Sequence, residues 1–366
     1  MFKYEREKAQ ELRRCIGKLP RVRLAYLPTP LEETSRLSQA LKGPLIYFKR
    51  DDLTGLALGG NKTRMFEFIL AHALEMGIDT VVAGAAAQSN YCRQMAAACS
   101  KLGLKVYLVL RKTRGDIDLQ VQGNLLLDLL AGANVEIIEV NTPQEQIRIM
   151  EEVTEDLRSK GHRPYLARMA NEKDMGLDAV AYVNCILEMC EQLEDVDLKP
   201  DYLYVASADT TQAGLVLGAK YLGLDSPIVG INPLDKTLVE DVPSLVAEIA
   251  NMAAKILGLS IEIRASEVIS YSNYIGRGYG QITQKGIEAI KLVAEKEGVF
   301  LDPVYTGKAM SGLIDHIRQG KIKRGKRVIF LHTGGVPALF AYGDEFNLAR
   351  RVRERNMGLK GDPISY

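Results

Sequence analysis

The chain has 366 residues, 47% hydrophobic and 25% charged, and its 47 basic and 46 acidic side chains leave a net charge of +1. That length exceeds what one hydrophobic core normally serves, so two lobes are expected. The near-neutral balance excludes a broad nucleic-acid or anionic-membrane surface and points to a small-molecule substrate.

Five cysteines (Cys15, Cys92, Cys99, Cys185, Cys190) form no C-x-x-C pair, which argues against a disulfide framework or a thiolate zinc site. With four scattered histidines (His72, His162, His316, His332), no metal centre is expected. No apolar run approaches the roughly 20 residues of a membrane span. Glu5, Glu7 and Glu11 interrupt the basic N-terminal stretch, unlike a transit peptide. A soluble, cytoplasmic protein is expected.

The first informative segment in chain order is Leu58-Gly59-Gly60-Asn61-Lys62-Thr63-Arg64. Its glycines and asparagine bend the backbone just before a helical pattern (Met65, Phe66, Phe68, Ile69, Ala73, Leu74) that ends at Gly77. A lysine in a first turn sits where the macrodipole disfavours a cation. That position suits an amine meant to lose its proton and attack an aldehyde. A surface lysine beside a loop is the plain alternative. A nucleotide-binding P-loop is another, since Gly55-x4-Gly60 has the spacing, but Asn61 puts Lys62 one residue late and no hydrophobic strand leads in.

Strand Thr80–Ala83 follows, then the loop Gly84-Ala85-Ala86-Ala87-Gln88-Ser89-Asn90 and a helix from about Asn90 to Gly103. Ser89 or Asn90 is an N-cap candidate, and the unpaired N–H groups of this helix start also suit a carboxylate. Strand Val106–Leu110, a helix over Leu119–Ala131 stopped by Gly132, and strand Val135–Ile138 come next. Strand Tyr202–Val205 leads into Ala206-Ser207-Ala208-Asp209-Thr210-Thr211-Gln212-Ala213-Gly214, where small residues and hydroxyls at a helix start suit either a phosphate cradle or an ordinary capped helix. Further strands are expected over Ile228–Ile231 and Val328–Leu331. Two more polar loops stand out, Asp302-Pro303-Val304-Tyr305-Thr306-Gly307-Lys308 and His332-Thr333-Gly334-Gly335, with Tyr279 set between glycines in Gly276–Gly280.

Apolar strands joined by helices predict an α/β fold with parallel sheets covered on both faces. Residues 56–168 read as a smaller α/β unit, and 1–55 with 169–366 as a larger one. The cleft between them, at the C-terminal ends of strands, is the expected site.

Five of these stretches occur in one order: Gly-Gly-Asn-Lys-Thr-Arg, Gln-Ser-Asn-Tyr, Thr-Gln-Ala-Gly, Asp-Pro-Val-Tyr-Thr-Gly-Lys-Ala and His-Thr-Gly-Gly-Val-Pro-Ala-Leu. Together they resemble the D-cysteine desulfhydrase and 1-aminocyclopropane-1-carboxylate deaminase family of fold-type II pyridoxal-phosphate enzymes, from Leu27-Pro28-Thr29-Pro30-Leu31 to Phe340-Ala341-Tyr342. The resemblance implies two lobes, each a twisted, mostly parallel sheet flanked by helices, with pyridoxal 5′-phosphate in the cleft between them, the larger lobe being the cofactor-binding one, and a homodimer. It implies that Lys62, beside Asn61, forms a Schiff base with the cofactor and that Asn90 bonds the cofactor's phenolic oxygen. Gln88, Ser89, Asn90 and Tyr91 would take the substrate carboxylate, and Ala208, Asp209, Thr210 and Thr211 the phosphate. Tyr305 would pack by the ring with Thr306 near its nitrogen, and Tyr279 would face the substrate, so that Lys62, Ser89, Tyr279 and Tyr305 form the catalytic set.

Two positions refine that expectation. Family desulfhydrases carry a Ser-Gly-Ser-Gly-Gly-Thr loop where this chain has Ser207-Ala208-Asp209-Thr210-Thr211. Asp209 would repel a phosphate unless it turned away to cap the following helix. Ring-opening deaminases carry a glutamate in place of Thr306, holding the pyridine nitrogen protonated as a strong electron sink. A neutral hydroxyl suits expulsion of a good β leaving group instead. The expected reaction is α,β-elimination of D-cysteine to pyruvate, sulfide and ammonia. The alternatives are ring opening of the cyclopropane substrate, a lyase for another β-substituted amino acid, and a catalytically silent cofactor-binding protein.

Overall fold

Val81, Val82 and Ala83 are buried on both faces of their strand, and so are Val106, Leu108, Val109 and Leu110, as parallel sheets covered by helices require. The computed structural model describes residues 2–140, 142–167 and 172–346. The expected boundary between residues 168 and 169 lies outside them.

In chain order, α1 (Arg6–Ile16), β1 (Leu31–Glu33), α2 (Ser35–Leu41) and β2 (Leu45–Lys49) lead to α3 (Lys62–Glu75). Then come β3 (Thr80–Ala86), α4 (Asn90–Leu102), β4 (Lys105–Arg111), α5 (Gly123–Leu130), β5 (Asn134–Ile138), α6 (Pro143–Ser159) and β6 (Pro164–Leu166). The chain continues through α7 (Glu172–Asp195), β7 (Tyr202–Ala206), α8 (Thr210–Tyr221), β8 (Ile228–Ile231), α9 (Val242–Leu257) and β9 (Ile269–Tyr271). It closes with α10 (Gln284–Glu297), α11 (Thr306–Arg318), β10 (Arg327–Leu331) and α12 (Val336–Leu339).

The strands form a four-stranded parallel sheet, β5-β4-β3-β6, and a six-stranded sheet, β1-β2-β10-β7-β8-β9, in which only β1 runs antiparallel to its neighbour. The edge strands β1, β6 and β9 have three residues each, too short to show an alternation in sequence. Local capping sets the helix ends. Ser89 Oγ accepts the Tyr91 and Cys92 N–H groups at the start of α4, which stops at Gly103 in the left-handed region, φ +72°.

The helix expected over Leu119–Ala131 begins later, at Gly123. Asp118 takes the N–H groups of Thr113 and Arg114 at 2.7 and 2.8 Å and folds 115–119 into a separate 3-10 turn. Helix α8 is buried along its length apart from Lys220. Gly214 lets it lie directly on α7, since a Cβ there would stand 2.1 Å from the Ala179 carbonyl oxygen. The start of α8 is therefore inside the protein. Among the described residues, no helix is long and apolar enough to cross a membrane.

Candidate active site

A cavity of about 470 Å³ opens where Gly84, Ala85 and Ala86 of β3, Arg111 of β4 and Ala206 of β7 end their strands. Both sheets thus contribute their C-terminal ends, where open α/β sheets bind ligands. Lys62 is on its wall with Asn61, Ser89, Asn90, Tyr91, Ala208, Asp209, Thr211, Tyr279 and Tyr305. Gln88, Thr210 and Thr306 are not.

Lys62 opens α3 after a backbone only glycine tolerates, with φ +74° at Gly59 and +135° at Gly60. The Gly60 N–H is held by the Asp51 carbonyl and Thr54 Oγ at 3.0 and 2.8 Å. Gly334 packs on this turn so closely that a Cβ would come 2.6 Å from Gly60 Cα. Asn61 ties the loop to two others, its N–H donating to the Thr333 carbonyl at 3.0 Å and its Nδ2 to Thr211 Oγ1 at 3.1 Å. Two residues on, buried Arg64 donates to Asp51 through Nε and Nη2 and to Glu188 through Nη1 and Nη2, each at 2.9 Å. Burial opposes the charge on Asp51, but Arg64 outweighs it and holds the carboxyl below its ordinary range.

The Gln88–Tyr91 stretch divides its labour. Gln88 is structural: Oε1 accepts the Asn124 N–H at 2.9 Å and Nε2 donates to the Gln122 carbonyl at 3.1 Å. Asn124 Nδ2 also donates to Asn90 Oδ1 at 2.9 Å, which orients the Asn90 amide so that Nδ2 remains a donor. Ser89 Oγ already accepts two N–H groups, so its proton is what it has left to offer. Tyr91 stands edge-on to Phe66, ring centroids 5.0 Å apart.

Opposite them, the Tyr279 and Tyr305 hydroxyls are 2.7 Å apart. Burial raises both phenols, Tyr305 well above its ordinary range, so the pair keeps its protons near neutral pH. The Tyr279 N–H donates to Asp235 Oδ2 at 3.0 Å, and buried Lys308 donates Nζ to the Gly278 carbonyl at 3.2 Å, pinning the glycine loop.

Gln88, expected at the substrate carboxylate, and Thr210, expected at the phosphate, lie off the wall. Thr306 does not face the cavity either. Its hydroxyl is buried, donating to Asp302 Oδ1 and accepting the Asp302 N–H, both at 2.7 Å, within the turn that starts α11. Thr333, from the loop after β10, is on the cavity wall, as are Thr211 and Thr237. Asp209 stands at the N-cap position of α8 but makes no side-chain cap bond, so it does not turn away as a cap would. Ser207 Oγ takes the Gln212 and Asp209 N–H groups at 3.1 and 3.3 Å, and Asp209 stays half-buried on the wall.

Arg111, Asn124 and Asp178 were not singled out from sequence. The Arg111 guanidinium lies 5.9 Å from the Tyr279 ring centroid. Asp178, from α7, is buried with Oδ1 unbonded, and burial pushes its carboxyl up to about 8 against the pull of Lys62.

A family model described as pyridoxal-phosphate dependent enzyme matches residues 22–334. The chain is 39% identical over 332 residues to a D-cysteine desulfhydrase of Klebsiella pneumoniae, covering 89% of this chain and 97% of that one. It is 38% identical over 338 residues to a D-cysteine desulfhydrase of Serratia proteamaculans, covering 90% and 98%. Among solved structures, an ACC deaminase homologue superposes with TM-score 0.81 at 34% identity over 92% of this chain and 98% of the other. Diaminopropionate ammonia lyase of Escherichia coli, at 15% identity and TM-score 0.60, shares the fold over 93% and 90%.

Proposed function

We propose that this chain, which belongs to the pyridoxal-phosphate-dependent enzyme family, is a lyase that eliminates the β substituent of D-cysteine to give sulfide, pyruvate and ammonia. One observation carries the reading: among the described residues the cavity wall holds a single lysine, Lys62, with the bonded Tyr279–Tyr305 pair on the same wall. The residue types suit the cofactor at most points. Lys62 offers an amine for its aldehyde, Asn90 Nδ2 a donor for its phenolic oxygen, and the first-turn N–H groups of α8 an anion site. The Asp209 carboxylate is the misfit.

When bound, the cofactor supplies an electron sink for the bond breaking at the substrate α-carbon. Ser89 donates its hydroxyl proton to the substrate carboxylate, because its lone pairs are committed to the start of α4. The Lys62 Nζ takes the α-proton. The tyrosines are poor bases, since burial keeps them protonated, and act as hydrogen-bond donors to the departing sulfur. The Cα–H and Cβ–S bonds break, and water completes release of pyruvate and ammonia. A neutral hydroxyl such as that of Thr333 at the ring nitrogen would favour elimination over ring opening, which needs a stronger sink.

D-cysteine should therefore yield sulfide and pyruvate in equal amounts and faster than L-cysteine. Equal rates for both enantiomers, or 2-oxobutyrate from 1-aminocyclopropane-1-carboxylate as the faster product, would replace this reading with another lyase activity.

The unpaired thiols support a reducing, cytoplasmic setting. A homodimer is supported by an exposed apolar face on α5, where Leu126, Leu129 and Leu130 stand at helical spacing, with exposed Phe340 beside α12, the helix α5 packs on. Light scattering should give twice the chain mass for the native protein and the single-chain mass for Leu130→Glu combined with Phe340→Glu. An unchanged mass would take this face out of the interface.

A further inference from the structure

The start of α8 is where an anion is favoured by the macrodipole and by unpaired N–H groups, yet two carboxyl groups face it. Asp209 lies on the cavity wall, and among the described residues its carboxylate accepts from the Ser207 hydroxyl alone, at 3.4 Å. Half-buried, it can swing its charge toward water. Asp178 cannot. It is 3% exposed, projects from α7, and among the described residues its Oδ1 has no hydrogen-bond partner. Thr210 faces it from the first turn of α8, fully buried, with its own Oγ1 lacking a well-formed bond. The other groups around Asp178 are Lys62 from α3, Asp209 before α8, Asp174 one turn back on α7, Tyr91 from α4 and Tyr165 from β6.

An ionised Asp178 beside a bound phosphate would be a buried, unpaired like charge, the arrangement a protein interior tolerates least. A neutral Asp178 removes the repulsion and becomes a donor. Its O–H can bond Thr210 Oγ1 inside the protein. Two orphaned buried oxygens are satisfied at once.

We propose that Asp178 is the proton-carrying partner of this anion site: a phosphate-bearing ligand seats at the start of α8 only with the Asp178 carboxyl neutral, so binding at alkaline pH takes up one proton. The inference rests on the cofactor reading above and concerns how the site accepts the phosphate. The direction follows from linkage. In the ligand-free protein the carboxyl titrates at about 8, with burial the main cause. A neighbouring dianion raises it further, so bound and free states differ in protonation only above that pH. Affinity is then flat below it and falls by about tenfold per pH unit above it.

The test uses the full chain stripped of cofactor and pyridoxine 5′-phosphate as probe, which has no aldehyde for Lys62 to attack. Calorimetry at about pH 8.5 in two buffers of different ionisation enthalpy counts the protons. The expected result is about three-quarters of a proton taken up per probe bound by the native protein, rising toward one at higher pH, and none by Asp178→Asn, whose amide also flattens the pH dependence of affinity. If Asp178→Asn does not fold, the native count decides alone. Uptake near zero in the native protein, or the same uptake in Asp178→Asn, overturns the proposal and leaves the functional reading standing. No binding of the probe at any pH overturns both.

Discussion

Lys62→Ala should lose at least about a thousandfold in sulfide release from D-cysteine, because one substitution removes both the covalent anchor and the base. The competing candidate is Lys308. It too is buried, and burial pushes its amine down to about 8, a value that suits a nucleophile. Geometry decides against it. Lys308 is not on the cavity wall, and its Nζ donates to the Gly278 carbonyl at 3.2 Å. Lys62 opens α3 directly into the cavity from a turn that no Cβ-bearing residue could replace at Gly59, where a Cβ would stand 1.8 Å from the Asp52 carbonyl oxygen. Borohydride should fix cofactor to the native chain on the peptide containing Lys62, and fix none to Lys62→Ala. A variant with native circular dichroism, native turnover and cofactor fixed elsewhere would move the assignment to another amine.

What could be read from sequence was what lies in short, contiguous, oddly composed loops. The Gly59–Lys62 turn, the Ser89–Asn90 helix start and the Tyr305 loop are local objects, and each brings its residues to the cavity. The core strands were legible too, because β3, β4, β7, β8 and β10 are continuous apolar runs, whereas β1, β6 and β9 are three-residue edges. Thr306 and Thr333 show where local reading stops. Both follow aromatic or histidine residues in polar loops, and only packing shows that Asp302 claims the first hydroxyl and leaves the second facing the cavity. Asp178 was beyond reach for the same reason. In sequence it is one carboxylate in an apolar helical stretch beside Leu177, Ala179 and Val180; its meeting with Lys62 and Thr210 depends on how α7 lies against α3 and α8.

Arg64→Ala should destabilise the protein by roughly 3–5 kcal/mol, a large share of a total that is typically 5–15. Arg64 is 1% exposed and carries the positive side of a buried network in which Asp51 also accepts from Thr29 Oγ1 at 2.8 Å and the Tyr182 hydroxyl at 2.7 Å. On the Glu188 side the partner is Lys49, itself fully buried and bonded to the Thr29 carbonyl at 2.7 Å. Alanine removes the guanidinium but leaves both carboxylates inside, Asp51 without its ion-pair partner and Glu188 with Lys49 alone, and a stranded buried charge costs more than the pair contributes. Lysine is no remedy, because a single ammonium cannot reproduce the fork that spans two carboxylates. The pH dependence carries the sign. In the native protein Arg64 and its neighbours hold Asp51 and Glu188 below their ordinary carboxyl range against burial. That stabilisation is present above the unfolded carboxyl range and is lost as pH falls through the depressed native values. Without Arg64, Lys49 and the Tyr182 hydroxyl are left to oppose burial, so both groups move up and the variant regains stability on mild acidification while the native protein does not. The gap between them should therefore narrow from pH 7 to pH 5 in denaturant titrations. A gap under about 1 kcal/mol at pH 7, or one that widens on acidification, would mean that apolar packing of α3, not this network, fixes the helix that presents Lys62.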